Sequence, residues 1–599
     1  MKLHELKITG FRRIKNATIK FGDATFLIGA NNAGKSTSLK AIEHLLSNKK
    51  QLDQRDFYSE IDPDTQETKI IETKVIFEAE FRNLPSSAST WRGFKGRIFK
   101  YAEPTEADSG LSISYKKTFE IGKDVIIELR ALKREMKPQF SKCKKPQDYI
   151  DAGIDTKVIS DMFSNLDKQI PVKEANKLED IDELWDLLDE EEWVTNPGGF
   201  SAIVINKLPK FLLIPADSSA HEIQDVNKGV LGKTLNELFE DVRASSVHYE
   251  EAQLHLNKLA KELDPQDKTS EFGKMMDELN NVLSSVFPES KIHAVADLSD
   301  PKVLKPTFEI EMSSNIKTCV ENQGTGMVRS AVFGLLRFRQ HWLSQKSGEE
   351  KRSLIIGFEE PEIYLHPSAA NLLRDTIYTL STGSSQIIAT THSPYLIDIS
   401  RKPKQILNRF HYETGSTSVH PFSVSDEYKK LEGDNKQHVK MLLKLDDYVS
   451  RVFFTKKVII VEGDTEDIVI REALRLLPIE TRNRISCDFE VIKARGKAAI
   501  IGLVKYLNAL NVECFVIHDK DSGCANAVKF NQPIATAVGN PAKVIMLEEC
   551  MEDILGYLAP SSEKPFNAFK HTITWDDDWN NVPVKLKDVL KSAFSGYIN

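Results

Sequence analysis

A glycine-rich segment near the start of the chain has the composition of a phosphate-binding loop. Residues 29–36 read GANNAGKS and fit the pattern G-x-x-x-x-G-K-[ST], with an apolar run before them and a helix-like run, 37–46, after them. In that context the glycines let backbone N–H groups close around phosphate oxygens, the lysine reaches the β and γ phosphates, and the serine can ligate Mg²⁺. The pattern predicts an ATP site contacted by Gly29, Asn31, Asn32, Gly34, Lys35, Ser36 and Thr37.

Two later strand ends carry side chains that suit the same nucleotide. Residues 354–362 read LIIGFEEPE, an apolar strand that ends in acids, which is the form of a Walker B element. We expect Glu359 to hold Mg²⁺ through water and Glu360 to polarise the attacking water as a general base. His392 follows a further apolar strand. Its place after the other two motifs favours a hydrogen bond to the γ-phosphate over a purely structural role.

The C-terminal part of the chain carries a second group of acids at the ends of apolar runs. Glu462 follows the run 457–461, and Asp519 and Asp521 follow the run 514–517. Because parallel strands bring their carboxyl ends to one edge of a sheet, these acids would share a crevice and repel one another. Two Mg²⁺ or Mn²⁺ ions about 4 Å apart relieve that repulsion and can stabilise the attacking and leaving oxygens of a phosphodiester. Such acids are usually solvated when they stand alone, but their order and strand-end placement favour a metal site.

The elements that must position these residues follow from hydrophobic patterning. Alternation of apolar and polar residues at 68–82 and 112–129 predicts antiparallel strands. The acidic stretch 178–193 has apolar residues at helical spacing, so we expect an amphipathic surface helix there. In the second half, apolar runs alternate with helix-like segments, which predicts parallel α/β sheets. These runs lie at 354–356, 387–390, 458–461, 489–492, 514–517 and 544–547.

The middle of the chain has a different pattern. In residues 221–290 leucines recur among many charges, with a break at Pro265, which predicts two or more long helices. They form either an inserted hairpin used for dimerisation or helices packed on their own core. A basic segment, 133–145, either binds nucleic acid or a partner, or is a solvated loop. We expect an ATPase in two parts, a helical insertion, a linker helix and a C-terminal nuclease domain, with the bounds 1–220, 221–295, 296–430, 431–455 and 456–599.

Composition narrows the class of protein. A chain of 599 residues is long enough for two to four domains. With 80 basic and 88 acidic residues the formal net charge is -8, which argues against a protein that only coats nucleic acid. No pair among the six cysteines has CxxC spacing, so we expect neither a zinc site nor a disulfide framework. This use of cysteine fits a protein of the reducing cytoplasm. No apolar run approaches the roughly 18 residues of a membrane span, and the polar N-terminus argues against a signal peptide.

The nucleotide motifs resemble those of the RecF/SMC branch of ABC ATPases. The resemblance is carried by ITGFR at 8–12, the loop at 29–36, EEPEIYLHP at 359–367 and THSP at 391–394. In such proteins two ATPase heads close over nucleotide, and a signature loop of one head caps the site of the other. The segment NQGTGM, which includes Gly324 and Gly326, occupies that place in this chain. It departs from the usual serine-glycine-glycine-glutamine form, and Glu359 replaces the usual aspartate, so the resemblance implies ATP binding but argues against rapid turnover.

The C-terminal acids resemble those of a TOPRIM domain, the module shared by topoisomerases, primases and some nucleases. Glu462 matches its strand-end glutamate, and Asp519 with Asp521 matches its D-x-D pair. A RecF-like ATPase followed by a TOPRIM domain is similar to the OLD family of nucleases, over essentially the whole chain. That resemblance implies a catalytic lysine, for which Lys564 is the best match, and a set of metal-site residues in which Glu548 is an alternative to Glu552. The set is Glu462, Glu466, Asp519, Asp521, Ser522 and Glu552.

The resemblance implies an α/β protein, with an ABC-type ATPase head, an inserted helical dimerisation segment and a TOPRIM Rossmann-like domain. Its implied activity is ATP-regulated, metal-dependent cleavage or nicking of DNA by a cytoplasmic homodimer, with Mg²⁺ or Mn²⁺ and ATP as cofactors. It also implies a role in defence against phage, alone or with a neighbouring partner such as a helicase or a reverse transcriptase with its nucleic acid. One alternative is a RecF/SMC-like DNA-repair ATPase or scaffold without nuclease activity. A second, a topoisomerase-like enzyme, requires a nucleophilic tyrosine on a winged helix that the sequence does not suggest.

Overall fold

The computed structural model describes residues 1–216 and 352–598 with short gaps, together with isolated residues between them. The gaps are 63, 103, 105–107, 164, 172–173, 175–176, 179–180, 198–200, 364–366, 383–384, 399–403, 414, 432 and 446. The chain divides into two units, one made of Met1–Ala216 and Lys346–Asn599, the other of Asp217–Gln345.

The secondary structure elements are numbered in chain order. The strands are β1 (Lys2–Phe11), β2 (Ile14–Lys20), β3 (Ala24–Gly29), β4 (Ser59–Ile61), β5 (Thr68–Ile70), β6 (Lys74–Arg82), β7 (Phe99–Lys100), β8 (Leu111–Glu120), β9 (Ile126–Met136), β10 (Trp185–Thr195), β11 (Lys210–Ile214), β12 (Glu311–Ser313), β13 (Lys317–Cys319), β14 (Leu354–Glu359), β15 (Ser385–Thr390), β16 (Gln405–Glu413), β17 (Ser416–Ser423), β18 (Lys457–Val461), β19 (Phe489–Lys493), β20 (Glu513–His518) and β21 (Val544–Met546). The helices are α1 (Lys35–Leu46), α2 (Pro146–Asp151), α3 (Thr156–Met162), α4 (Ser201–Ile205), α5 (Pro367–Ser381), α6 (Val424–Lys429), α7 (Gly433–Leu445), α8 (Asp464–Arg475), α9 (Ile479–Asp488), α10 (Lys497–Ala509), α11 (Ala525–Val528), α12 (Asn531–Val538), α13 (Met551–Leu555), α14 (Lys564–Ile573) and α15 (Val584–Ala593).

The nucleotide motifs lie on a six-stranded sheet with the order β11-β14-β15-β3-β16-β17. The first five strands are parallel, and β17 is an antiparallel edge strand. Strands β3 and β15 are buried along nearly their whole length, which is why they read as continuous apolar runs. The order of strand, loop and helix predicted around residues 29–36 is confirmed, since β3 leads through that loop into α1.

A second, antiparallel sheet packs against this framework, with the order β10-β9-β8-β6-β1-β2 and β7 paired to β8. Residues of β6 alternate between buried and more exposed, so one face of the strand is apolar. That face shares a hydrophobic core with α1 and with residues of the parallel sheet. The strands predicted at 68–82 and 112–129 are confirmed, because β5, β6, β8 and β9 occupy these ranges.

The prediction of a helix over 178–193 is wrong, because most of that stretch belongs to strand β10. Strand β10 pairs with β9, and the charges of the two strands are complementary. Lys133 Nζ on β9, for example, lies 3.0 Å from a carboxylate oxygen of Glu190 on β10. Opposite charges on paired strands stabilise the ladder. Pairing with a distant strand therefore outweighs the local helical spacing, and the basic segment 133–145 begins inside the sheet.

The C-terminal sheet is parallel throughout, with the order β19-β18-β20-β21. The prediction that the apolar runs at 458–461, 489–492, 514–517 and 544–547 form parallel strands is confirmed, because β18, β19, β20 and β21 occupy these ranges. Strands β18 and β20 are neighbours, so the residues after them meet at one edge of the sheet. Helices α8, α14 and α15 contribute side chains to a hydrophobic core that they share with these strands, and the buried Trp575, which follows α14, belongs to the same core.

Helical residues in α7 and a 3₁₀ segment, Asp447–Phe454, occupy the region where the sequence predicts a helical linker. The helical insertion predicted at 221–295 lies almost entirely outside the described residues. In the second unit, β12 and β13 pair antiparallel. The division of the chain into the five predicted domains and segments remains a prediction.

Within the described ranges, no helix is long and apolar enough to cross a membrane.

Candidate functional site

The phosphate-binding loop joins β3 to α1 in a conformation that requires glycine. Gly29 and Gly34 have φ angles of +140° and +107°, which side-chain-bearing residues rarely adopt. A Cβ at Gly29 would also lie 2.3 Å from the carbonyl oxygen of Phe410 on β16. Lys35 is buried, and its Nζ donates to the carbonyls of Gly29 and Ala30 at 3.0 and 2.9 Å. The loop is therefore held both by its own lysine and by the neighbouring strand.

A cavity of about 800 Å³ opens over this loop. Its lining includes Arg12, Arg13 and Arg55, for which the sequence analysis assigned no role. The Nε of Arg12 lies 2.8 Å from Oδ1 of Asp56, which orients that guanidinium. Several guanidinium groups around one cavity suit a polyanion such as a nucleoside triphosphate. The lining also includes the predicted contacts Asn31, Asn32, Gly34, Lys35, Ser36, Thr37 and Glu360.

The structure separates the two Walker B acids. Glu360, with φ of +41°, lines the cavity, and its Oε1 lies 3.5 Å from Nε2 of His392. Glu359 instead accepts a 3.5 Å hydrogen bond from the backbone N–H of Ala216, just beyond β11, and is not among the residues that line the cavity. Glu360 therefore lines the nucleotide cavity with His392 in contact behind it, whereas Glu359 is turned toward the residues that follow β11.

Glu362 is a candidate that the sequence analysis missed. Its Oε1 accepts hydrogen bonds from the Thr391 hydroxyl at 2.7 Å and from the N–H groups of His392 and Ser393 at 2.9 and 3.1 Å. Its Oε2 is buried and has no hydrogen-bond partner among the described residues. Glu362 thus orders the histidine loop and keeps one oxygen for another cation or donor. Its position as the third acid of the EEPE run was the available signal.

Burial governs the protonation of the basic groups at this cavity. It lowers the pKa of Lys35, against which Glu360 and Glu362 act in the opposite direction. Burial, and then the charge of Lys35, lowers the pKa of His392. A histidine with a lowered pKa is neutral near pH 7 and can donate to a phosphate oxygen through one ring nitrogen. Gly324 and Gly326, predicted as the signature loop, lie outside the described residues.

The C-terminal acids converge at the carboxyl edge of the second parallel sheet. Glu462 follows β18, and its carboxylate accepts a hydrogen bond from the backbone of Asp519, which follows β20. Asp521 adopts a left-handed conformation with φ of +56°. Glu466, in the first turn of α8, is buried and accepts a 2.8 Å hydrogen bond from the Gly463 N–H. The structure therefore brings these four predicted acids together.

The environment of this cluster raises the pKa values of its acids. Burial, opposed by Lys497 and reinforced by Asp521 and Glu466, raises the pKa of Glu462 to about 7. Burial, followed by the charges of Glu466 and Glu462, raises the pKa of Asp519 to about 8. Both groups therefore titrate near neutral pH, where a nearby cation would favour their ionised form.

Three oxygens of this cluster have chemistry that fits a metal ion. Oε2 of Glu462, Oδ1 of Asp519 and Oε1 of Glu552 are buried without a hydrogen-bond partner among the described residues. Such oxygens are costly to bury and are the ligands that hard divalent cations prefer. In the described part of the chain no three acidic, histidine or cysteine side chains already stand at metal-ligand spacing, so binding requires side-chain rotation. The donor set fits a divalent cation in type, and the side chains must close on it.

Lys497, the first residue of α10, is a second candidate that the sequence analysis missed. Its side chain is 3% exposed, and its Nζ lies 2.6 Å from Oδ2 of Asp521 and 3.1 Å from Oδ1 of Asn531. It also acts to lower the pKa of Glu462, so its charge reaches a second acid of the cluster. Lys497 therefore places a fixed positive charge among the carboxylates and orients Asp521. A Gly-Lys pair between an apolar strand and a helix was the only local signal.

The structure distinguishes the two glutamates that the resemblance left open. Glu552 is 2% exposed and raises the pKa of both Glu466 and Asp519, so it belongs to the cluster. Glu548 is exposed, and its carboxylate pairs with Lys585 at 2.8 Å.

The two remaining predicted residues lie at the margin of the cluster. The backbone N–H of Ser522 donates to Oε2 of Glu549 at 2.9 Å. Lys564 begins α14 and is close enough to Glu466 to lower its pKa. Its exposed ammonium, beside buried acids, is suited to contact a phosphate oxygen.

These two sites define the protein as a nucleotide-binding α/β ATPase joined to a module with a metal-type carboxylate cluster, and known families correspond to both parts. Residues 1–397 match the AAA ATPase domain family. Because that match covers more than half of the chain, the protein belongs to this family. Residues 453–521 match the TOPRIM domain of overcoming lysogenization defect protein-like sequences. The resemblance to an OLD-type ATPase with a TOPRIM domain is confirmed, and the two domains imply binding of a nucleotide and of a divalent metal.

The chain is similar to three named nucleases. It is 24% identical to the Old nuclease of Escherichia phage P2 over 56% of this chain and 58% of that protein. It is 27% identical to the OLD nuclease of Thermus scotoductus over 41% and 47%, and 25% identical to endonuclease GajA of Bacillus cereus over 32% and 31%. The chain thus spans about half, or less, of the length of these relatives. A solved SMC head bound to the winged-helix domain of ScpA is 12% identical, with a TM-score of 0.33 over 72% of this chain and 100% of that chain.

Lys35→Ala should weaken ATP binding by about 10- to 100-fold, because charge-assisted hydrogen bonds to phosphate are worth roughly 1.5–3 kcal/mol. Titration with a fluorescent ATP analogue measures the change. Lys40→Ala is the matched control, since Lys40 lies on the same helix and pairs with Glu43 at 2.9 Å. Equal affinities for the two variants would contradict the assignment of the loop.

With metal chelated, Asp519→Asn should stabilise the protein relative to wild type, increasingly so as the pH rises from about 4 to about 8. The folded protein holds the Asp519 proton up to about pH 8, whereas the unfolded chain releases it near pH 4. Wild type therefore loses stability over this interval, and the amide variant does not. The difference in Tm between the variants, measured across pH, should reach a few degrees at the alkaline end. A difference in Tm that does not change with pH would count against the shifted pKa.

Proposed function

We propose that this protein is an ATP-regulated, divalent-metal-dependent nuclease that nicks or cuts DNA. The observation that carries the proposal is the set of buried carboxylate oxygens without partners on Glu462, Asp519 and Glu552. Glu462 and Asp519 lie where two parallel strands end, which is where sites form in α/β sheets, and Glu552 joins them from α13. The TOPRIM match and the three relatives named as nucleases support the same activity.

Each part of the carboxylate cluster has a distinct task in this proposal. Bound Mg²⁺ or Mn²⁺ would supply an activated water and stabilise the attacking and leaving oxygens of the phosphodiester. Lys497 orients Asp521 through their 2.6 Å contact. Lys564, near Glu466, can hold a non-bridging oxygen of the DNA phosphate. The residues that would hold the ions are Glu462, Glu466, Asp519, Asp521, Ser522 and Glu552.

The ATP site would set the state of the nuclease. Lys35 and Ser36 bind the phosphates and Mg²⁺, and Glu360 polarises the attacking water. His392, whose backbone N–H is held by Glu362, donates a hydrogen bond to the γ-phosphate. We assign Glu359 a weaker part, because its carboxylate is turned toward Ala216. This arrangement supports binding of ATP with slow turnover, which suits a regulatory nucleotide better than a motor.

The wider biological role rests on the resemblance to OLD nucleases. By that likeness the protein would act as a cytoplasmic homodimer through residues 221–295 and would defend its host against phage. It would do so alone or with a neighbouring partner, such as a helicase or a reverse transcriptase with its nucleic acid.

A RecF/SMC-like DNA scaffold without nuclease activity is the second candidate. The contact between Lys497 and Asp521 favours it, because a resident lysine neutralises part of the cluster without metal. The partnerless oxygens on three other residues count against it, since one lysine does not satisfy them.

Glu552→Gln should lower nicking of supercoiled plasmid by about 100-fold or more, because the amide removes a charge that the metal requires. Glu548→Gln is the matched control, four residues earlier in the chain, and should stay within about two-fold of wild type, since Glu548 pairs with Lys585 on the surface. Gel separation of nicked and supercoiled plasmid in Mg²⁺ or Mn²⁺ gives both rates. A wild-type protein that binds DNA but never nicks it would favour the scaffold.

Lys35→Ala should abolish the response of plasmid nicking to ATP while leaving the carboxylate cluster intact. Rates are compared with and without a saturating ATP analogue for wild type, Lys35→Ala and the control Lys40→Ala. Regulation by ATP would be refuted if Lys35→Ala nicked plasmid at the wild-type rate and responded to the nucleotide as wild type does.

A further inference from the structure

One face of the β16–β17 hairpin collects basic side chains away from both sites already described. Arg409 pairs with His420 across the hairpin, and His411 pairs with Ser418. Residues two apart on a strand share a face, and so do their cross-strand partners, so all four side chains lie together. The rings of His411 and His420 are 5.7 Å apart at a steep angle. The hairpin therefore presents a guanidinium, two imidazoles and a hydroxyl on one side.

This face is covered by the C-terminal module, but not completely. The turn between α10 and β20 supplies Leu510 and Asn511, and a cavity of about 170 Å³ remains between that turn and the hairpin. Asn511 is exposed and in the left-handed conformation, with φ of +58°. The cavity has room for several waters or for one tetrahedral oxyanion. None of the residues that line it is acidic.

Arg409 places a buried guanidinium beside this cavity. The residue is only 7% exposed, and its guanidinium donates to the carbonyl of Thr455, which leads into β18. Burial lowers its pKa, and no carboxylate among the described residues offsets that effect. A buried guanidinium offers five donors and is stabilised best by an anion. Among the described residues its hydrogen-bond acceptor is the Thr455 carbonyl, which satisfies a small part of that capacity.

We propose that this cavity is a binding site for a phosphate-type oxyanion, held by Arg409, His411, His420 and Asn511. A guanidinium and an amide N–H₂ can only donate toward such a ligand, and imidazole and hydroxyl groups can do so as well. The ligand is either free inorganic phosphate or a backbone phosphate of DNA, since both present the same oxygens. The site is separate from the nucleotide cavity and from the carboxylate cluster.

The site lies between elements that lead to the nucleotide cavity and to the carboxylate cluster. Strand β16 lies beside β3, where Phe410 pairs with Gly29 at the start of the phosphate-binding loop. On the other side of the cavity, Asn511 stands between α10, which begins with Lys497, and β20, which leads to Asp519. An oxyanion bound here would tie together the elements that carry the two sites.

Asn511→Asp tests the proposal, because it places a carboxylate in the cavity without changing its size, and aspartate tolerates the same backbone conformation. Wild type, Asn511→Asp and the exposed control Asn580→Asp are titrated with inorganic phosphate by calorimetry, with the nucleotide site filled by a non-hydrolysable ATP analogue. Wild type and Asn580→Asp should bind phosphate equally, and Asn511→Asp should bind it at least about 10-fold more weakly. His420→Ala, an exposed change, should weaken binding in the same direction.

DNA binding, measured with metal chelated over a range of salt concentrations, separates the two sources of phosphate. If DNA is the source, Asn511→Asp reduces the steepness of the fall of log affinity with log salt concentration by about 1, and Asn580→Asp leaves it unchanged. If free phosphate is the source, the slopes agree and only the calorimetric affinities differ. Three proteins that are indistinguishable in both measurements would overturn the proposal, whatever their nicking activity.

Discussion

Repulsion among buried carboxylates is the constraint on which the C-terminal module depends. Burial, and then the charges of neighbouring acids, raise the pKa values of Glu462 and Asp519 to about 7 and about 8. Two unit charges 4 Å apart repel by roughly 4 kcal/mol at an effective dielectric constant of 20, more than one typical hydrogen bond contributes. The fold offsets part of this cost with Lys497 and with backbone donors to Glu462 and Glu466. A divalent cation would offset the rest, so the arrangement makes chemical sense mainly as a metal site.

Much of this arrangement was predictable because it follows from patterns within short, contiguous segments of the sequence. An apolar run followed at once by an acid predicts a buried strand with a carboxylate at its end, and the alternation of such runs with helices predicts a parallel sheet. The neighbouring positions of β18 and β20 then bring Glu462 and Asp519 together. The phosphate-binding loop was predictable for the same reason, since Gly29 to Ser36, the strand before it and the helix after it are contiguous in sequence.

The remaining features depend on contacts between distant segments. Lys497 meets Asp521 only because α10 starts beside the turn after β20. Arg55 lines the nucleotide cavity from a short 3₁₀ helix, Gln54–Asp56, whose place in the fold no local pattern reveals. Strand β10 has the spacing of a helix, yet its acids meet bases on β9, as in the contact between Glu190 and Lys133. In each case the deciding interaction is a charge pair or charge cluster formed across the fold, and periodicity within one segment carries no information about it.

The two sites have opposite polarity, and that difference limits how they can be linked. The nucleotide cavity is lined by Arg12, Arg13 and Arg55, whereas the second site is a cluster of acids, so the formal charge of -8 describes neither. Guanidinium groups suit phosphate directly, whereas carboxylates would need metal ions to hold it. Strand β16 offers a mechanical link, because Phe410 pairs with Gly29 on β3 and its carbonyl leaves no room for a side chain at Gly29. Contiguity by itself is not coupling, and coupling needs an element with two stable arrangements that both sites favour differently. The junction between the β16–β17 hairpin and the turn at Asn511 is the place to look for it, since its cavity leaves the contact incompletely packed.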